Sequence, residues 1–493
     1  MSAVDAPTRQ TDLNYGLDDV PKPFPRLLGL GLQHVLTMFG ATIAVPLILA
    51  PALEFDATQI AILISSVFIA SGVATLFQVL IGTRLPIVQG VSFAFLGPFF
   101  AIIAAHPGED AMRYIAGAII TGAVVEALVG YSGLFGVIRR YITPITIGPV
   151  IALIGLSLFG AAAFQAGLNW WVALGTFALI FIYSLVLAPK VRMFSLFPIL
   201  LAIVTIYVVL WVLTGVGAIP DGHNAAVSFA GTGDAPWVRN IVGDRGIFLP
   251  WGSPLFDFGF FIAILAAYMA SMIESFGDYH AIARVSGAGE PTRKQVNLGI
   301  GAEGLGCFFT GLVGGFASTS YTENIGLVGL TKVASRMVVV VGAVALIVLG
   351  FVSKIGAVIA TIPGPVIGGV YLALFGLIAA VGLSNLQKAD MNSQRNLMIV
   401  GSVLFFGLVI PAYFQGLADD WTLFGVDWLT DIVRTVGSSG IAVGAILGLF
   451  LDNVIPGTDA ERGVMGAAEP REAPAITEAG EVPPTAEGTR AQD

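Results

Sequence analysis

The chain has 493 residues, of which 56% are hydrophobic and only 11% charged, with 61 glycines. That balance leaves too little polar surface for a soluble fold and reads as an all-α polytopic membrane protein. The formal charge of −9 is carried mostly by the ends, about −2 in residues 1–25 and about −5 in residues 457–493, so it argues neither for an acidic body nor for a nucleic-acid partner.

Apolar runs of about 17 to 25 residues recur from Arg26 to about Leu451, each long enough to cross a hydrocarbon core of roughly 30 Å. In chain order the predicted segments are 27–50, 60–81, 87–105, 114–137, 143–163, 168–188, 194–214, 256–283, 297–315, 317–331, 334–351, 356–382, 397–415 and 437–453. Fourteen crossings put both termini on one side. The loops on that side carry fourteen Lys and Arg, including Arg84, Arg139, Arg140, Lys190, Arg192, Arg284, Lys332 and Arg336; the other side holds Arg113, Arg239, Arg245, Lys354 and Arg434. Cytoplasmic loops collect the excess of Lys and Arg, so both ends are expected inside, in a multi-pass protein of the cell membrane.

No short basic-then-apolar signal precedes the first segment, and targeting is expected to rest on that segment itself. Residues 215–255 read as an extracytoplasmic loop with some interfacial packing. Residues 414–436, with Trp421, Trp428 and four aspartates, read as an interfacial amphipathic stretch. Residues 454–493, rich in Ala, Pro, Glu and Gly, read as a disordered acidic tail. The single Cys307 lies in an apolar segment, which excludes an internal disulfide and a cysteine-built metal site. No cofactor or metal is expected.

Fourteen segments divide into two sevens, and because seven is odd the second half enters the membrane from the opposite side, giving an inverted repeat. Two segments are interrupted at corresponding places. The third carries Pro86, Gly90, Gly97 and Pro98 around VQGVSFAFLGP; the tenth is short and opens with GGFASTSYTENIG. Matched broken segments point to a midplane site between half-helices, where unwound backbone offers free N–H and C=O groups.

Ionisable residues at bilayer depth mark function, because each costs roughly 2.5 to 3.5 kcal/mol even on lenient scales. Glu274 and Asp278 in the eighth segment are four apart and share one helix face, which suits proton uptake and release. Glu323 follows the hydroxyl-rich run Ser318 to Thr322 and stands at the start of a half-helix, where its carboxylate can accept ring N–H donors of a planar heterocycle. Ser92, Tyr321 and Thr322 are placed with it facing substrate. Phe93 offers an aromatic face, though apolar packing is the commoner fate of Phe. Gln33, His34, Asn324, Gly326 and Thr331 form the expected structural and polar network around the site. Glu126, Glu303 and His280 are read as buried, with structural or water-linked roles.

The stretch ENIGLVGLTK, Glu323 to Lys332, resembles the signature of the nucleobase-ascorbate transporter family, in which Gln, Glu or Pro precedes Asn, any residue and Gly, with Thr and a basic residue or Gly further on. LQHVLTMFGATIAVPLIL, SFAFLGP, ESFGDYHAIARVSG and GLSNLQKADMNSQRNL are similar to that family's in the same order, over roughly residues 24–453. The resemblance implies a core from residues 26–138 and 256–351, a gate from 139–214 and 352–453, short strands in the broken third and tenth segments, and a homodimer. It further implies that Glu274 and Glu323 hold a base while Phe93 stacks or packs on it. Glu at the first signature position resembles the uracil carriers; Asp278, where bacterial uracil carriers have His, is more similar to purine and ascorbate members.

The leading expectation is a secondary active symporter for a nucleobase, uracil first and xanthine second, coupled to a proton and moving core against gate. A sodium-coupled ascorbate or nucleobase carrier, an anion carrier for carboxylate or sulfate, and a non-transporting receptor are the alternatives. The sequence has no zinc-spacing His cluster, nucleotide-binding glycine loop or nucleophile elbow, so an enzyme is not expected.

Overall fold

The computed structural model describes residues 12–138, 141–230, 232–233, 235–241, 245–418 and 421–463. The first eleven residues, the basic pair Arg139 and Arg140, Asp419 and Asp420, and the acidic stretch 464–493 lie outside the described residues. Among the described residues nine helices are long and apolar enough to cross a membrane, and a pair bent by 82° makes a tenth if it is one span.

The first half contains α1 (Phe24–Ala52), α2 (Ala57–Leu80), β1 (Gln89–Val91), a 3-10 turn (Phe93–Phe95), α3 (Leu96–Ala105), α4 (Glu109–Ser132) and α5 (Phe135–Ile138). There follow α6 (Pro144–Ser157), α7 (Phe159–Gly167), α8 (Trp170–Phe181, continued by a π-helical turn to Leu187), α9 (Arg192–Leu196) and α10 (Pro198–Gly215). The second half contains α11 (Phe258–Val285), α12 (Arg293–Leu312), β2 (Ser318–Ser320), α13 (Thr322–Thr331), α14 (Arg336–Phe351), α15 (Ser353–Ile359) and α16 (Gly364–Asn385). It ends with α17 (Gln394–Gln415), α18 (Asp427–Gly437), α19 (Gly440–Val454) and α20 (Asp459–Arg462).

Each apolar run falls on a helix or on a strand followed by a half-helix. The run 356–382 departs from expectation: Pro363, which has no N–H to give, starts α16, while α15 turns away from α14 as the bent pair.

Helix contacts are made through small residues, as expected where lipid removes the hydrophobic drive between helices. A Cβ at Gly130 would stand 2.2 Å from the Gly301 nitrogen, and one at Gly304 would stand 2.5 Å from that of Ala127, so α4 and α12 touch backbone to backbone. Helices α1, α2, α4, α11, α12 and α14 pack as one group; α6, α7, α8, α16, α17 and α19 pack as another.

The segment between α10 and α11 is more deeply seated than a surface loop. Arg239, 4% exposed, donates to the Ile62 and Gly246 carbonyls and to the hydroxyls of Ser65 and Ser66. Buried Trp251 stacks on Phe55 at 4.9 Å and donates to the Gly314 carbonyl. In the stretch read as interfacial, α18 packs on α11, and the Trp421 ring meets Phe414 edge-on at 5.8 Å.

Both ends of the described chain are anchored. Residues 14–19 lie across the end of α13: Asn14 donates to the Thr331 carbonyl, Ala334 N–H to Tyr15, Arg336 N–H to Leu17, and Arg336 pairs with Asp18. The tail read as disordered from residue 454 is ordered to 463. There α20 carries a Thr458–Glu461 capping box, and Arg395 and Arg462 both pair with the buried Asp452.

Candidate functional site

The two broken segments meet. Strands β1 and β2 pair antiparallel with Gln89 opposite Ser320, Gly90 opposite Thr319 and Val91 opposite Ser318. The ladder is extended by Ser92 N–H to the Ala317 carbonyl and Tyr321 N–H to that of Val88, both 3.0 Å. Each strand runs into a helix N-terminus, whose first N–H groups have no partner within the helix. Ser92 caps its 3-10 turn, its Oγ accepting from the Ala94 N–H at 3.2 Å.

Helix α11 lies beside this ladder. Ser275 Oγ is 3.1 Å from Thr319 Oγ1 and 3.0 Å from Ser320 Oγ. Asp278, 7% exposed, accepts from Ser320 at 2.8 Å and from Thr322 at 3.1 Å. Glu274, one residue before Ser275, is half-buried and has no hydrogen-bond partner among the described residues; Glu323, in the first turn of α13, is exposed and has no side-chain partner among them. Glu274, Asp278 and Glu323 lie within electrostatic reach of one another. The site therefore presents one carboxylate engaged by hydroxyls and two free to accept donors from a ligand.

The other residues singled out from the sequence divide. Phe93 is half-buried, its ring edge-on to Phe375 of α16 at 6.0 Å, while Phe375 stacks on Tyr371. Tyr321 is buried over Gly90, and its hydroxyl donates to the Val91 carbonyl at 3.0 Å, so it clamps the ladder. Thr322 is exposed beside Asp278. Asn324 Nδ2 donates to the His34 carbonyl at 3.0 Å and lies 3.1 Å from its Nδ1, tying α13 to α1. Thr331 bonds the Leu327 carbonyl. Among the described residues the Gln33 side chain joins no such network; it lines a cavity of about 470 Å³ with Asn14, Arg26, Arg192 and Thr331. Gly326 has nothing within 4 Å of an added Cβ, so it leaves room rather than packing.

His280 is not buried as read. It is partly exposed, bonded to the Phe276 carbonyl, 3.7 Å from Glu290, and lines a separate cavity of about 340 Å³. A network missed in the sequence lies behind the ladder: Gln78 Nε2 donates to Tyr279 OH at 2.5 Å, and Tyr279 and Ser271 donate to Glu303 at 2.9 and 2.8 Å. Ser271, Ser275, Asp278 and Tyr279 recur at i, i+4, i+7 and i+8, one polar face of α11, and that spacing was the available signal. Among the described residues no group of three or more His, Cys, Asp or Glu could hold a metal.

A family model described as "Permease family", that of the xanthine/uracil permeases, matches residues 25–416. The human "Solute carrier family 23 member 2" is 37% identical over 92% of this chain and 76% of its own length. "Nucleobase-ascorbate transporter 1" of Arabidopsis thaliana is 35% identical over 90% of this chain and 89% of its own. Among solved structures, murine Solute Carrier 26 family member A9, an anion transporter in the inward-facing state, superposes with a TM-score of 0.61 at 10% identity over 89% of this chain and 69% of that one. The transmembrane domain of the cyanobacterial bicarbonate transporter BicA gives 0.54 at 14% identity over 86% of this chain and all of that one. These last two likenesses concern the fold.

Proposed function

Since the chain belongs to the xanthine/uracil permease family, a family of membrane transporters rather than enzymes, we propose that it is a secondary active importer of a nucleobase, uracil first and xanthine second, in symport with a proton. The observation that carries this reading is the pair of carboxylates, Glu274 and Glu323, left without side-chain partners beside a strand ladder that ends in two helix N-termini. A uracil or xanthine ring brings N–H donors for the carboxylates and carbonyl oxygens for the free N–H groups of the helix ends. An ascorbate, carboxylate or sulfate anion brings acceptors and a negative charge to two acceptor side chains, a poorer match than a ring with N–H donors. The anion-carrier alternative suggested by the fold is therefore disfavoured by the site.

In this reading the chain crosses the membrane fourteen times as two inverted sevens. Residues 26–138 and 256–351 form a core that moves against a gate of residues 139–214 and 352–453, and the protein sits as a homodimer in the cell membrane with both ends inside. Phe93 and Phe375 meet across the core and gate. Asp278, held by Ser320 and Thr322, is the coupling group, because substrate that displaces either hydroxyl changes what stabilises its charge.

The test is uptake of labelled uracil and xanthine into proteoliposomes under an inward proton gradient, with and without uncoupler and sodium. Uncoupler-sensitive accumulation lost in Glu274→Gln and Glu323→Ala is expected. Sodium-dependent uptake would move the coupling to sodium, and binding without accumulation would make the protein a receptor. Absence of both bases from the vesicles under every gradient would overturn the nucleobase assignment.

A further inference from the structure

Glu126 takes part in nothing described above. It lies in α4, 1% exposed, and neither of its carboxyl oxygens has a hydrogen-bond partner among the described residues. The helix beside it is α12, and the two backbones touch there: a Cβ at Gly304 would meet the Ala127 nitrogen at 2.5 Å and the Ala123 oxygen at 2.8 Å. That contact brings Glu126 to the level of Glu303, within electrostatic reach. Glu303 is 0% exposed but accepts from Ser271 and Tyr279. The titratable groups facing Glu126 are Glu303 and Cys307 from α12 and Tyr268 and Tyr279 from α11; no Lys, Arg or His stands among them.

A carboxylate without a donor or a cation in such surroundings costs far more than a neutral acid. Glu303, with hydroxyl donors on both oxygens, is the member of the pair that can carry a charge. Polar contact continues outward from it. Ser275 and Thr319 lie within electrostatic reach of Glu303; Ser275 reaches Ser320, and Ser320 donates to Asp278. We propose that Glu126 and Glu303 form a second proton site, buried in the core, with the proton on Glu126 and the charge on Glu303. The proton is held as an ordinary O–H of the Glu126 acid, with no net reaction. Its link to transport rests on the symport reading; its presence does not.

Infrared difference spectra of the substrate-free protein in liposomes test this directly. Wild type is expected to show at neutral pH a protonated-carboxyl C=O band that Glu126→Gln removes and Glu303→Gln retains. The glutamine at 126 keeps the shape and the neutrality of the side chain, so a near wild-type melting temperature is expected. Persistence of the band in Glu126→Gln, or its loss in Glu303→Gln, overturns the site, and the second variant decides if the first does not fold. None of these readouts depends on which substrate is carried, so a failed nucleobase assignment leaves them intact.

Discussion

Gly90→Ala is the sharpest test of how the site is assembled. Gly90 pairs with Thr319 in the ladder, under the ring of Tyr321. An added Cβ would stand 2.5 Å from the ring Cζ, 2.7 Å from Cε2 and 2.8 Å from the hydroxyl oxygen. The ring cannot withdraw without breaking the 3.0 Å bond from its hydroxyl to the Val91 carbonyl. Overpacking costs about 1–3 kcal/mol and the lost bond about 0.5–1.5 kcal/mol. Together, about 1.5–4.5 kcal/mol, they lower the fraction of molecules holding this geometry roughly 10- to 2,000-fold. Equilibrium binding of labelled base to purified protein reads that loss, beside a thermal melt. Gly326→Ala is the matched control, because its Cβ would meet nothing within 4 Å, and binding within a few-fold of wild type is expected. If both variants bind alike, or if Gly326→Ala is the weaker, the close packing of Tyr321 on Gly90 does not hold the site together.

Asp278→Asn is expected to abolish uphill uptake while leaving counterflow exchange, measured with preloaded vesicles, because the ladder hydroxyls keep a polar partner. Asp452→Ala leaves Arg395 and Arg462 facing each other with Thr143 unpaired, and a loss of about 3–5 kcal/mol is expected in thermal or denaturant unfolding. Arg239→Lys cannot reproduce the forked contacts to Ser65, Ser66 and two carbonyls; melting close to that of Arg239→Ala is expected, and full rescue by lysine would contradict the forked geometry. The Thr458 N–H and the Ser393 hydroxyl hold the Glu461 carboxyl below the usual glutamate range. Its contribution is therefore present above the unfolded-state value and lost as pH falls through the lower, folded one; limited proteolysis is expected to release the C-terminal end in acid and not at neutral pH.

Much of this fold is written in local chemistry. Apolar run lengths gave the helices because a bilayer demands them, and Gly and Pro in the third segment with Gly in the tenth located the two breaks, whose short strands only the family resemblance implied. Glu323 and the Glu274–Asp278 face stood out as charge where charge is expensive. Less was visible wherever a residue's meaning depends on a partner far along the chain. Tyr321 reads as a cavity aromatic until Gly90 is seen beneath it; Arg239 reads as a loop charge until Ser65 and Ser66 receive it. His280 shares a helix with Asp278 but faces another cavity, since two residues along a helix turn the side chain by about 200°.

The strand ladder also constrains how the protein is made. Val91 must find Ser318, which emerges about 230 residues later, roughly 10 to 45 s at synthesis rates of about 5–20 residues per second. Through that interval the first broken segment is a run of extended backbone with no second strand, in a medium where an unpaired N–H or C=O costs several kcal/mol. It must therefore wait in the translocon, at the water interface or against a chaperone, and the first half of the chain cannot mature alone. Ribosome stalling before Ser318 should leave a nascent chain that is inserted yet protease-sensitive around residues 86–98, with protection arriving only once the second strand has been delivered.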